Sequence, residues 1–167
     1  LKQLRPDVLL AGERNGVRIC GAGAGGVDFD LGNSPREFIA TLVRGRTIVM
    51  TTTNGTRALR AVAGAATVLV GSFLNLGAIV LRLRQHPPHR LLVICSGTGA
   101  DAALEDTLAA GALCERLWDG YGSGQAADSA EIARCVYGAW QHDLAGAMTR
   151  ATNGRRLLDH PGLRDDV

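Results

Sequence analysis

Aromatic side chains are scarce in this 167-residue chain, at 4%. A core built on stacked rings is therefore excluded, and the work of burial falls to Leu, Val, Ile and Ala. Long apolar runs are missing as well. A membrane-spanning helix needs about 18 or more apolar residues in a row. The best candidate, Thr67 to Leu81, is broken by Gly71, Ser72, Asn75 and Gly77 and stopped by Arg82. No membrane partner is expected. Lys2 and Arg5 are followed by Pro6 and Asp7 rather than by an apolar stretch, so no signal peptide is read there. Charge of one sign is also lacking. Eighteen basic and 16 acidic residues leave a net charge of +2. With no basic stripe interleaved with aromatics, nucleic acid is not an expected partner. The four cysteines, Cys20, Cys95, Cys114 and Cys135, contain no C-x-x-C pair. That speaks against a zinc ribbon or a thioredoxin motif. Scattered thiols without a signal peptide point to a reduced, cytoplasmic setting.

Glycine is what the chain has in excess. There are 22, about twice the ordinary share of ~7%. They follow no three-residue period, which excludes collagen. A hydrophobic content of 46% excludes a disordered chain. The length suits one well-buried domain.

The pattern along the chain predicts alternating strands and helices. Leu1 to Leu4 reads as the end of a helix, Asp7 to Ala11 as a buried strand, and Val17 to Cys20 as an extended piece within a glycine-rich stretch. A helix is expected near Ser34-Pro35. Ser34 would cap it, Pro35 suits the first helical position, and Glu37 would complete a capping box. Strands are expected at Thr47 to Thr51, Thr67 to Val70 and Leu91 to Ile94. Helices are expected at Asn54 to Ala63, Leu74 to Gln85 and Ala102 to Trp118. After a loop at Gly120 to Gln125 only helices follow, Asp128 to Gln141 and Asn153 to Leu158. Continuous apolar strands alternating with helices indicate an α/β fold, a mostly parallel sheet with helices on both faces in three layers, as a single domain over residues 1–167.

Each of the last three predicted strands runs into a small, polar, glycine-bearing turn. These are Thr51-Thr-Thr-Asn-Gly-Thr-Arg57, Gly71-Ser-Phe-Leu-Asn75 and Cys95-Ser-Gly-Thr-Gly99. In an open parallel sheet such turns lie at the carboxyl ends of the strands, where ligands bind. Their free N–H groups and helix termini favour an anion, and Arg57 could hold a phosphate or sulfonate bidentately. The plainer reading is that these Thr and Asn residues only cap helices and make turns. Three such turns in register favour the anion site.

Standard phosphate motifs do not fit. No Gly-Lys pair exists for a P-loop. Gly21, Gly23 and Gly26 match G-x-G-x-x-G, but no helix follows directly, so Gly21 to Gly26 reads as a loop insertion. Cys95 to Asp101 resembles a cysteine-phosphatase loop with Asp101 where an arginine is needed. Cys95 is therefore expected to be a buried thiol. Asp28-Phe-Asp30 weakly resembles the aspartate pair of haloacid-dehalogenase-type phosphatases. Glu13, Glu105 and Asp106 are carboxylates near the turns that could hold a hard cation. Glu105 and Asp106 could instead simply complement a helix dipole. His86, His89, His142 and His160 have no metal-site spacing and receive no role.

Taken in order, Gly12-Glu-Arg-Asn-Gly16, Phe29 to Pro35 with Asn33-Ser34-Pro35, Thr51 to Ala58, Gly71 to Asn75, Ser96 to Gly99 and Leu104-Glu-Asp-Thr107 resemble the 2-phosphosulfolactate phosphatase (ComB) family. The resemblance runs from about Val8 to Val167, and Asn153 to Leu157 with Asp165-Asp-Val167 resembles the family's last helix and closing segment. It implies a Mg2+-dependent phosphatase that removes phosphate from (2R)-2-phospho-3-sulfolactate, a step of the coenzyme M type, with a small anionic phosphorylated substrate as partner. By motif position it implies substrate contacts at Asn33, Ser34, Thr52, Thr53, Asn54, Gly55, Thr56, Ser96, Gly97 and Thr98. Arg57, Glu105 and Asp106 would be catalytic, with Glu13 and Asp106 as metal ligands. Relatives carry an Asp-x-x-Arg-Ala-type segment before the first residue here and continue beyond Val167, so the chain reads as truncated at both ends. Two other readings stand beside this one: a non-catalytic remnant that binds an anion or forms a homo-oligomer, and a haloacid-dehalogenase-type phosphatase using Asp28.

Overall fold

The structure, a computed structural model, describes residues 5–21, 26–122, 124 and 126–167. The expected helix end at Leu1 to Leu4 and most of the Gly21 to Gly26 loop lie outside the described residues. The protein is α/β, with three strands and seven α-helices among the described residues. It divides into two compact units, Leu1–Arg57 with Arg156–Val167, and Ala58–Arg155.

The first unit is organised by β1 (Leu9–Arg14), which is buried along its length except at Arg14. Such a strand needs a neighbour on each side. Parallel β3 (Ile48–Thr51) lies on one, with Leu9 opposite Ile48 and Gly12 opposite Thr51. On the other lie antiparallel β2 (Val17–Arg18) and a single parallel bridge from Ala11 to Leu31. The β1–β2 hairpin turns on Asn15-Gly16, whose φ angles of 56° and 80° are those demanded by a two-residue hairpin loop. Leu9, Ala11 and Leu31 form the core with Phe38, Val43 and Ile48.

The helix expected at Ser34-Pro35 is instead one turn of 3-10 helix, Pro35–Glu37, followed by a short α1 (Ala40–Val43). The capping box does not form, because both of its side chains have other partners. Glu37 Oε2 accepts the Gly32 N–H at 2.9 Å. The Ser34 hydroxyl donates to Asp166 Oδ1 at 2.9 Å. Arg36 joins the same clamp, donating to Asp166, Asp165 and the Gly162 carbonyl. A tertiary carboxylate has outcompeted the local cap.

Helices dominate the second unit: α3 (Leu76–Gln85), α4 (Leu104–Tyr121), α5 (Asp128–Trp140) and α6 (Leu144–Arg150). In sequence, the chain leaves the first unit within α2 (Gly55–Ala61) and returns to it within α7 (Thr152–Asp159). In α3 the buried residues Leu76, Ile79, Val80 and Leu83 recur at helical spacing and meet Ala112 and Leu117 of α4. Leu108 of α4 is fully buried. Arg134 of α5 bonds Glu115 at 2.8 Å and stacks over the Trp118 ring at 4.2 Å. The turn before α3 closes on itself: Ser72 N–H donates to Asn75 Oδ1, and Asn75 Nδ2 to the Val70 carbonyl.

The strands expected at Thr67 to Val70 and Leu91 to Ile94 are not paired among the described residues. Val70 is 64% and Leu92 75% exposed. An apolar run reads as a strand, but only a ladder partner makes it one, and the described sheet stops at three strands, one pair parallel and one antiparallel.

Close packing of α4 on α5 depends on Gly111, where an added Cβ would run into the Ala133 carbonyl. Gly138, on α5, has open space around the same position. Gly111→Ala should cost about 1–3 kcal/mol by overpacking, whereas Gly138→Ala should gain about 0.5–1 kcal/mol from helix propensity. Urea unfolding of the two variants should move the midpoint in opposite directions.

Candidate active site

In the first unit the site grows from the ends of β1 and β3. Glu13, near the end of β1, is 6% exposed. Its Oε1 accepts the Thr53 N–H at 2.6 Å. Its Oε2 accepts the Gly16 N–H at 2.9 Å and the Thr53 hydroxyl at 3.1 Å. Burial alone would raise the carboxyl pKa. The Gly16 and Thr53 N–H groups, the Thr53 hydroxyl and the Arg14 charge outweigh it and hold the group below its ordinary value. Both oxygens of this expected metal ligand are thus engaged by protein donors.

The threonines that follow β3 also bond inward. Thr52 Oγ1 accepts the Thr56 N–H at 3.1 Å, and the Thr56 hydroxyl donates to the Thr52 carbonyl at 3.0 Å. These bonds satisfy donors at the start of α2. Arg57 differs. It is exposed and forms no ion pair among the described residues. Its N–H donates to the carbonyl of half-buried Asn54 at 3.0 Å, which fixes Arg57 on the first turn of α2. Arg14, which the turn motifs alone did not single out, reaches Thr51 Oγ1 at 3.4 Å. Asn33 is exposed, while Ser34 is buried with its hydroxyl held by Asp166.

In the second unit, Ser96, Gly97, Thr98, Glu105 and Asp106 are brought together. Thr98 and Asp101 exchange both backbone bonds, at 2.9 and 3.1 Å. Gly97 has φ 68°, and an added Cβ would lie 2.6 Å from the Asp101 carbonyl oxygen, so only glycine fits. Asp106 Oδ2, in the first turn of α4, accepts the Gly97 N–H at 2.7 Å and the Ser96 hydroxyl at 3.1 Å. Asp106 therefore does more than balance the helix dipole. Asn153, also missed by motif reasoning, donates from Nδ2 to Glu105 Oε1 at 2.5 Å and to Thr98 Oγ1 at 2.7 Å. Glu105 Oε2 is buried and has no partner among the described residues.

Two expectations are corrected. Cys95 is exposed rather than buried. Partial desolvation, then the Asp106 charge, push its thiol pKa up, so it stays protonated and a poor nucleophile. Asp28 lies on no strand, is exposed, and accepts the Gly21 N–H at 2.6 Å. It closes a loop and lacks the strand-end position of an aspartyl nucleophile. A surface concavity lined by Leu83, Pro88, His89, Arg116 and Tyr121 includes none of the expected residues.

No group of three or more His, Cys, Asp or Glu side chains gathers as a metal cage among the described residues. Mg2+ usually takes one or two carboxylates, with waters and substrate phosphate completing its shell. The bare Glu105 Oε2, with Asp106 next in sequence, fits that sparse donor set. Both Glu13 oxygens are engaged by turn donors.

Fold and turns together define an α/β protein whose turns before α2 and α4 are ordered by carboxylates, an exposed arginine standing on the first turn of α2. The model of the 2-phosphosulpholactate phosphatase family matches residues 1–167. A Synechococcus sp. (strain JA-3-3Ab) protein named "Probable 2-phosphosulfolactate phosphatase" is 41% identical over 153 residues, covering 90% of this chain and 59% of its own length. A Gloeobacter violaceus protein of the same name is 38% identical over 163 residues, covering 98% of this chain and 64% of its own. The chain belongs to the 2-phosphosulpholactate phosphatase family, and spans roughly three-fifths of the length of these relatives. No described helix is long and apolar enough to cross a membrane.

A carboxyl whose folded pKa is depressed stabilises the fold above its unfolded pKa, and that stability is lost as pH falls through the folded value. Glu13→Gln should therefore cost about 1–3 kcal/mol at pH 7. The gap to the parent protein should close as the pH is lowered below the ordinary glutamate pKa of about 4.3. Urea unfolding across a pH series measures this. A gap that stays constant down to acid pH would contradict the assigned bonding.

Proposed function

We propose that this chain is the catalytic part of a Mg2+-dependent phosphatase. Its substrate would be (2R)-2-phospho-3-sulfolactate or a related phosphorylated acid, and its products the hydroxy acid and phosphate. The family match over residues 1–167 carries this reading. The finer architecture, a mostly parallel sheet covered on both faces in three layers, belongs to the same proposal, as does a cytoplasmic location.

The residues divide the work by chemistry. Glu105 and Asp106 put two negative charges at a turn meant for an anion, so a cation must offset them. Bound Mg2+ would be held by the Asp106 carboxylate, with waters and substrate phosphate completing its shell, and would neutralise phosphoryl charge. The Thr98 hydroxyl is a donor for a phosphoryl oxygen. Arg57, fixed on its helical turn in the first unit and without an ion pair among the described residues, is chemically suited to hold an anionic group by two parallel bonds. With Cys95 protonated and Asp28 closing a loop, water is the nucleophile. The water oxygen bonds phosphorus as the ester P–O bond breaks. Glu105 Oε2 takes the proton from the attacking water, and the departing alkoxide takes a proton from solvent.

Phosphate release from 2-phosphosulfolactate should depend on Mg2+ and stop with chelator. Arg57→Ala should lower kcat/KM by about 10- to 100-fold, the cost of losing charge-assisted bonds. Arg57→Lys should recover only part, lacking the planar fork. Folded protein with no turnover, and with ligand affinity unchanged by Arg57→Ala, would sink the enzyme reading.

A further inference from the structure

We infer that Asn153, which lies outside every turn expected to touch substrate, is a positioning residue: it holds Glu105 by one oxygen and leaves the other to act. The inference rests on the phosphatase reading and deepens it.

The argument begins with donor count. A primary amide has two N–H groups, and Asn153 Nδ2 lies 2.5 Å from Glu105 Oε1 and 2.7 Å from Thr98 Oγ1. An ionised carboxylate can only accept, so the face of the amide turned to Glu105 must be its NH2 end. Both N–H groups are then committed, one to each partner. Because Thr98 Oγ1 accepts, its own proton is directed elsewhere and remains available to an anion. Because Glu105 is held through Oε1, its orientation is set while Oε2 stays bare. That oxygen is buried without a partner among the described residues. Orphaned buried acceptors are rare in proteins and call for an explanation such as a catalytic role or a bound ion.

Asn153 is well placed for this task. It sits in the first turn of α7, just after buried Ala151. The next residue, Gly154, packs so tightly on the Met148 carbonyl that an added Cβ would clash. A side chain carried on such a rigid corner can fix a partner 48 residues away in sequence.

The test compares Asn153→Ala, Glu105→Gln and the double variant, with kcat and KM on 2-phosphosulfolactate measured per folded molecule. Asn153→Ala should lower kcat on the order of 100-fold, as misplacement of a reacting group does. KM should stay within about twofold. The double variant should be no slower than Glu105→Gln alone, because Asn153 acts through that residue. Asn153→Asp keeps the size, removes both donors and should show the same kcat loss, which covers a failure of the alanine variant to fold. Full kcat in both Asn153 variants, or losses that multiply in the double, would overturn the positioning role while leaving the phosphatase reading intact. An inactive parent protein would overturn the phosphatase reading, and this role with it.

Discussion

Carboxylates that accept glycine backbone N–H groups order several turns and one helix start of this molecule. Glu13 takes Gly16, Asp28 takes Gly21, Glu37 takes Gly32, Asp106 takes Gly97, and Asp143 takes Gly146. A glycine leaves its N–H unshielded and lets the chain turn sharply, at a cost in conformational entropy. An ionised acceptor offsets that cost, since a hydrogen bond to a charged group contributes about 1.5–3 kcal/mol. The high glycine content therefore has a structural counterpart in the acidic residues placed near it. The rest follows from these clamps. Glu13 ties the β1–β2 hairpin to the turn after β3. Asp106 ties the Ser96–Gly97 turn to the first turn of α4.

This constraint changes what the anion-directed turns can offer. Threonine hydroxyls and glycine N–H groups look like an open cradle when read from composition. Here Thr52, Thr53 and Thr56 bond within their own turn or to Glu13, and the Gly97 N–H is taken by Asp106. The turns are ordered in advance by internal anions. Fewer of the expected donors are left uncommitted among the described residues, and the exposed Arg57 guanidinium is one of them. Preordering of this kind reduces the reorganisation needed when charge develops on a ligand.

Legibility in the sequence depended on how local each signal was. The buried strand read at Asp7 to Ala11 met β1, and the helix read at Leu74 to Gln85 met α3, because one element's local pattern suffices. Thr67 to Val70 and Leu91 to Ile94 carry the same strand signal, yet no described strand pairs with them, and pairing is not written into a single segment. Ser34 and Glu37 had the spacing of a capping box and lost it to partners elsewhere. The Ser96, Gly97 and Asp106 grouping was readable because a turn leads directly into a helix. Asn153 and Asp166 were not. Both stand in segments that resemble the family's last helix and closing segment but received no role there, and they reach their partners across 48 and 132 residues.

Glu105 is where the clamp logic breaks, and the break is informative. Glu13 uses both oxygens on turn donors, as a buried carboxylate should. Glu105 stands next to Asp106, begins the same helix and is bonded through one oxygen only. Its Oε2 is the one buried side-chain polar atom without a partner among the described residues. A sequence rich in Ser, Thr and glycine N–H donors had the means to satisfy it and did so for its neighbours. Leaving one acceptor bare costs stability, and natural proteins keep such violations mainly at functional sites. In the phosphatase reading proposed above, this is the atom that would take the proton from water.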